Sequence, residues 1–195
     1  TCRAGMFFGL PTQATSNGIF TRIKGWLDNI IKDADQTQSL NLLHGKAALN
    51  DEFDKTPKAQ GIDIDGEENG TIITNEWFHG RKTGMLDDFI VGTVDQFLLS
   101  ALKQKHLALR HLGLSKKVVV IDEVHAYDAY MGQFLYQAIR WMGAYSVPVV
   151  ILSATLPGER REELVKNYYL GTGKKLKEAI KPDNLAIQNA YPLIT

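Results

Sequence analysis

The sequence of 195 residues has no surplus of either charge: 22 lysines and arginines stand against 22 aspartates and glutamates, for a formal net charge of zero. That excludes a wholesale polycation, although basic groups gathered on one face could still attract a phosphate backbone. There is a single cysteine, Cys2, so no internal disulfide can form, and no Cys/His spacing suggests zinc. No apolar run is long enough to span a bilayer, and Thr1 opens the chain without a basic-then-apolar leader. The expected location is therefore a reducing compartment, the cytoplasm. Repeats and low-complexity tracts are absent. With 44% hydrophobic and 23% charged residues the composition is that of a soluble globular protein of one or at most two domains.

What is present is an alternation of short β-rich runs with longer helical patterns, which predicts an α/β fold of βαβ units around a largely parallel sheet. The expected strands are Met6 to Leu10, Leu40 to Leu43, Phe89 to Gly92, Val118 to Asp122 and Val147 to Leu152, the last two apolar enough for burial on both faces. Ile19, Ile23, Trp26, Leu27, Ile30 and Ile31 recur at helical spacing, as do Phe134, Leu135, Ala138, Ile139, Trp141 and Met142. A further helix covers 159–170 and stops at Gly171. The stretch 46–70 carries seven acids against three lysines and reads as an exposed insertion. By contrast, 99–121 contains Lys103, Lys105, Arg110, Lys116 and Lys117 with no acid, either a solvated helix face or a phosphate-facing patch. Residues 1–172 form the expected main body, and 173–195, with Pro182 and Pro192, a linker.

The chemistry concentrates at strand ends. Val118-Val119-Val120-Ile121 delivers Asp122, Glu123 and His125 to the C-terminal end of a strand, where open α/β sheets bind ligands. An Asp there can hold Mg²⁺ bridging nucleotide phosphates, and the adjacent Glu can orient and deprotonate a water. Capping of the next helix is the competing use of such acids, and Asp128 is the rival cap. The run Val147 to Leu152 ends in Ser153-Ala154-Thr155, whose hydroxyls can bond to those acids or to His125 and report on a γ-phosphate, or else cap a helix or form a turn before Pro157. Two further junctions, 10–18 with Pro11, Thr12, Thr15, Ser16 and Asn17, and 91–96 with Gly92, Thr93 and Gln96, are rich in hydroxyls and amides. Such helix starts bind phosphate oxygens without reading bases, or simply cap their helices.

These residues resemble superfamily 2 helicases of the DExH kind, with Asp122-Glu123-Val124-His125 as motif II and Ser153-Ala154-Thr155 as motif III. The longer runs 10–18, 91–96 and 120–131, together with His44-Gly45-Lys46-Ala47, Glu76-Trp77-Phe78 and Tyr191 to Thr195, resemble the CRISPR-associated helicase-nuclease of type I interference systems over nearly the whole chain. The resemblance implies a RecA-like motor lobe and an ATP-dependent 3'-to-5' motor on single-stranded DNA, recruited by an RNA-guided surveillance complex and coupled to a metal-dependent nuclease. It implies ATP and Mg²⁺ as cofactors, with Asp122 as metal ligand and Glu123 activating water. His125, Ser153 and Thr155 would couple nucleotide state to DNA grip. Pro11, Thr12, Thr15, Ser16, Asn17, Gly92, Thr93 and Gln96 would touch the DNA backbone.

A nucleotide-hydrolysing lobe also needs G-x-x-x-x-G-K-[ST], which this sequence does not contain. Lys46 and Lys174 each follow a glycine, but Leu40 and Ala47, or Tyr168 and Lys175, stand where the motif needs Gly and Ser or Thr. The expectation is a partial first lobe that lacks the phosphate-loop strand and is inactive alone, with Val147 to Leu152 left as an unpaired hydrophobic edge. Two other readings remain: a non-catalytic module that binds nucleic acid or a partner, and a DExH translocase for RNA or duplex DNA.

Overall fold

The computed structural model describes residues 5–31, 38–44, 58–59, 72–75 and 83–174. In chain order the elements are β1 (Gly5–Leu10), α1 (Gln13–Ile31), β2 (Gln38–Leu43), β3 (Lys58–Ala59), β4 (Ile72–Asn75), β5 (Phe89–Thr93), α2 (Val94–Leu98), α3 (Leu107–Ser115), β6 (Lys117–Ile121), α4 (Ala129–Ala144), β7 (Val149–Ile151) and α5 (Gly158–Gly171). The strands form one parallel sheet in the order β3-β4-β2-β5-β1-β6-β7. Every pairing is parallel, so consecutive strands are joined by crossovers rather than hairpins; β1 and β2 are separated by β5, whereas β6 and β7 are adjacent with α4 between them in sequence.

Side-chain alternation along the strands sorts the core into two layers. On one face Met6, Phe8, Leu10, Leu40, Leu42 and Val91 meet α1, whose Phe20, Ile23 and Leu27 recur at helical spacing. On the other, Phe7, Ile90, Val119 and Ile121 pack against Phe97 of α2 and Leu135, Ala138, Ile139 and Met142 of α4. α5 docks on α4 at close backbone range. A Cβ on Gly143 would overlap the Tyr168 carbonyl oxygen, and one on Gly171 the Arg140 carbonyl oxygen, so only glycine fits at either place.

The expectation that β6 and β7 are buried on both faces is not met. In β6 only alternate residues are buried, and β7 pairs with β6 alone among the described residues. Val150 is 43% and Leu152 41% exposed. The strand begins after Pro148, which has no N–H to give and instead accepts from Val119 N–H (3.0 Å). The expected unpaired edge is thus where the sequence put it. The acidic stretch 46–70 lies outside the described residues except for β3, a two-residue strand at the far end of the sheet; 175–195 also lies outside them. No described helix is long and apolar enough to cross a membrane.

Candidate functional site

Because every strand points the same way, their C-terminal ends share one edge of the sheet. Across it stand His44 after β2, α2 after β5, Pro11 and Thr12 after β1, Asp122 and Glu123 after β6, and Ser153 after β7. The strand-end groups singled out from sequence therefore line a single rim.

At its centre the Asp122 backbone N–H donates to Gly9 O (2.9 Å), and Asp122 Oδ1 accepts the Glu123 N–H (2.9 Å). Glu123 stands in the left-handed region at φ 56°, ψ 39°. A non-glycine residue held there costs about 1–3 kcal/mol and persists only where its surroundings over-determine it. His125 bridges two elements: Nε2 lies 3.1 Å from Glu123 Oε2, and Nδ1 lies 3.1 Å from Ser153 Oγ. Ser153 donates its own proton to Thr155 O (2.9 Å), so at His125 its oxygen is the acceptor. The capping alternatives are settled by neighbours. Asp128 Oδ1 caps α4 by accepting from Met131 N–H (2.7 Å), and α5 starts behind Pro157 with no side-chain cap, so neither Asp122 nor Thr155 serves that purpose.

No three His, Cys, Asp or Glu side chains come together as a metal cage among the described residues. Mg²⁺ does not ask for one, since it binds through one or two carboxylates, waters and substrate phosphates. Asp122 fits that use, because its Oδ2 makes no hydrogen bond among the described residues while Oδ1 keeps the loop in place.

The junction after β1 is only partly available to a ligand. Thr12 and Thr15 cap one another: Thr12 Oγ1 accepts from Thr15 N–H (3.1 Å), and Thr15 Oγ1 from Thr12 N–H (3.3 Å). Both remain exposed. Ser16 does not, being fully buried with its hydroxyl donated to Thr12 O (2.8 Å). Asn17 Oδ1 accepts from His44 Nε2 (2.8 Å), which ties α1 to the end of β2, and burial holds the His44 imidazole below its ordinary pKa. At the second junction Gly92 and Thr93 are buried. A Cβ on Gly92 would stand 2.7 Å from Leu43 O, so this glycine serves the approach of β5 to β2. Gln96 Oε1 is taken by both terminal nitrogens of Arg110 at 3.3 Å. Of the eight expected backbone contacts, Ser16, Gly92, Thr93 and Gln96 are thus occupied by the fold and Asn17 has its side-chain oxygen engaged by His44, whereas Pro11, Thr12 and Thr15 stay accessible at the end of β1.

The acid-free stretch 99–121 is neither a plain solvated face nor a patch throughout. Lys117 is 2% exposed and donates to Met85 O (3.1 Å) and Gly113 O (2.8 Å). Arg110 is spent on Gln96, which leaves Lys103, Lys105 and Lys116 in solvent. Sequence reasoning gave Tyr127 and Arg160 no role. Tyr127, 4% exposed, donates its hydroxyl to Asp122 O (2.9 Å) and accepts from Arg160 Nη2 at its own carbonyl (2.9 Å). Burial, with the carboxylates of Asp122, Asp95 and Glu123 nearby, pushes the Tyr127 phenol well above its usual pKa, so it stays a donor.

No protein-family model matches the sequence. The CRISPR-associated nuclease/helicase Cas3 of Streptococcus thermophilus is 64% identical over 98% of this chain. The chain is homologous to a segment of Cas3. It spans 21% of that relative's length. A crystal structure of T. fusca Cas3 matches at TM-score 0.79 and 39% identity, and one of T. fusca Cas3-ATP at 0.76 and 38%, each over 92% of this chain and 19% of the other. A CRISPR RNA-guided surveillance complex in its pre-nicking state contains a chain matching at TM-score 0.59 and 35% identity, over 89% of this chain and 15% of that one. The parallel sheet flanked by helices is the RecA-like fold of those Cas3 neighbours.

Proposed function

We propose that this chain is part of the first motor lobe of an ATP-driven helicase that moves 3' to 5' on single-stranded DNA and acts with a nuclease in CRISPR interference. The observation that carries this reading is the bridge from Glu123 through His125 to Ser153, which joins the end of β6 to the segment after β7. In this reading Glu123, whose carboxylate lies 3.1 Å from His125 Nε2, orients the attacking water and takes its proton. Asp122 would hold Mg²⁺, which supplies charge neutralisation for the phosphates. His125, Ser153 and Thr155 pass the state of the nucleotide site along the rim toward Pro11, Thr12 and Thr15, which grip the DNA backbone. Base-blind hydroxyls and amides suit a motor that must advance over any sequence.

The homology to Cas3 supports an RNA-guided surveillance complex as the recruiting partner. Lacking a G-x-x-x-x-G-K-[ST] loop within its 195 residues, the chain is expected to bind and hydrolyse no ATP when isolated. The test is strand displacement by the full-length protein carrying this segment, on duplexes with a single-stranded tail of either polarity. ATP-dependent displacement from a 3' tail is expected; displacement without ATP, or only from a 5' tail, overturns the reading.

A further inference from the structure

Asp122 is gripped from three sides. Its N–H donates to Gly9 O of β1, its Oδ1 accepts from Glu123 N–H, and its carbonyl oxygen accepts from the Tyr127 hydroxyl, each at 2.9 Å. Together these bonds hold the peptide on which the left-handed Glu123 hangs. The first comes from the neighbouring strand and the second is local. The third depends on a buried side chain whose own carbonyl is fixed from elsewhere, by Arg160 Nη2 at 2.9 Å.

Arg160 lies in the first turn of α5, the helix that follows Ser153 and Thr155. α5 packs on α4 at close backbone range, because Gly143 and Gly171 leave no side chain between them. The Arg160 guanidinium sits beside Gly132 of α4, and its Nε is buried without a hydrogen-bond partner among the described residues. A buried orphan donor costs about 1–3 kcal/mol, a cost accounted for if the guanidinium is kept there to reach the Tyr127 carbonyl. The segment after β7 therefore touches the loop after β6 twice, at the surface through Ser153 and His125 and in the interior through Arg160 and Tyr127.

We infer that Arg160 and Tyr127 are positioning residues for the hydrolytic step, acting in series through the Asp122 carbonyl to hold Glu123 in its left-handed conformation and to transmit displacement of α5 to it. This rests on the reading of Glu123 as the base. Neither residue touches nucleotide in this scheme, so their loss slows turnover without weakening ATP binding.

The experiment is ATPase kinetics of the full-length protein carrying this segment, with single-stranded DNA saturating, for wild type, Glu123→Gln, Tyr127→Phe, Arg160→Met, Arg160→Lys and the Tyr127→Phe/Arg160→Met double variant. Tyr127→Phe and Arg160→Met should each lower kcat about 5- to 10-fold, or about 1–1.4 kcal/mol at 1.36 kcal/mol per tenfold, with KM for ATP within about twofold. Arg160→Lys should restore part of the loss, and the double variant should be no slower than the slower single one, since the two act on one path. Multiplicative losses, unchanged kcat in both single variants, or losses that track KM or the unfolded fraction overturn the inference. Glu123→Gln with wild-type turnover instead removes the base on which it rests, so the two failures read differently.

Discussion

At the opposite end of the sheet from the candidate site, Asp87 is completely buried just before β5. Its Oδ1 accepts from Asp88 N–H (3.1 Å), but Oδ2 has no hydrogen-bond partner among the described residues. The Lys117 ammonium is near enough to attract it yet spends its protons on Met85 O and Gly113 O. Burial pushes the Asp87 carboxyl from 3.8 up to about 6. Folding therefore raises this group's pKa, and the native state binds the extra proton between about pH 4 and 6. Stability falls as pH rises through that window, by about 3 kcal/mol in all at 1.36 kcal/mol per pKa unit. Asp87→Asn keeps the shape and the acceptor while removing the charge. Lys117 loses an attractive neighbour in the variant, which offsets part of the gain. Urea unfolding followed by tryptophan fluorescence should find the advantage of Asp87→Asn over wild type growing by about 1–2 kcal/mol between pH 4.5 and 7.5. Taking the difference between variant and wild type cancels titrations that do not feel Asp87, including that of His44, whose lowered pKa acts in the reverse sense; Lys117, which burial already lowers to about 8, is lowered further in the variant. An advantage independent of pH, or a variant less stable at pH 7.5, would refute the assignment of the buried charge.

Three other consequences are open to measurement. Asp128→Ala, which removes the α4 cap, should cost about 1 kcal/mol in urea unfolding. Gly143→Ala should cost about 2–3 kcal/mol, because its methyl meets backbone rather than a movable side chain; a loss below about 0.5 kcal/mol would contradict the close α4–α5 contact. In the 195-residue chain the amides of Val149 and Ile151, on the side of β7 away from β6, should exchange much faster than those of Val119 and Ile121.

Local patterns carried five of the seven strands, β2, β5, β1, β6 and β7, and the centre of the site, whereas the short β3 and β4 had no such pattern. Four consecutive β-branched residues ending in acids mark β6 and its rim position whatever surrounds them, and Phe20, Ile23 and Leu27 mark the buried side of α1 by spacing alone. A short polar run cannot show which hydroxyl the helix keeps for itself. Thr12, Thr15 and Ser16 look alike in sequence, yet only Ser16 turns inward. Gly92 has the same difficulty, since its need for a missing side chain arises from Leu43 on another strand. Lys117 reads as one charge among five because Met85 O, the acceptor that buries it, is 32 residues away. The same holds for Tyr127 and Arg160, 33 residues apart and joined only by the packing of α5.

The central claim, that Glu123 drives ATP hydrolysis from the end of β6, is tested most directly by Glu123→Gln in the full-length protein, measuring ATP affinity and single-stranded-DNA-stimulated turnover on one preparation. The account predicts turnover at least about 10²-fold lower with ATP affinity within about threefold. Turnover undiminished in the variant would contradict it.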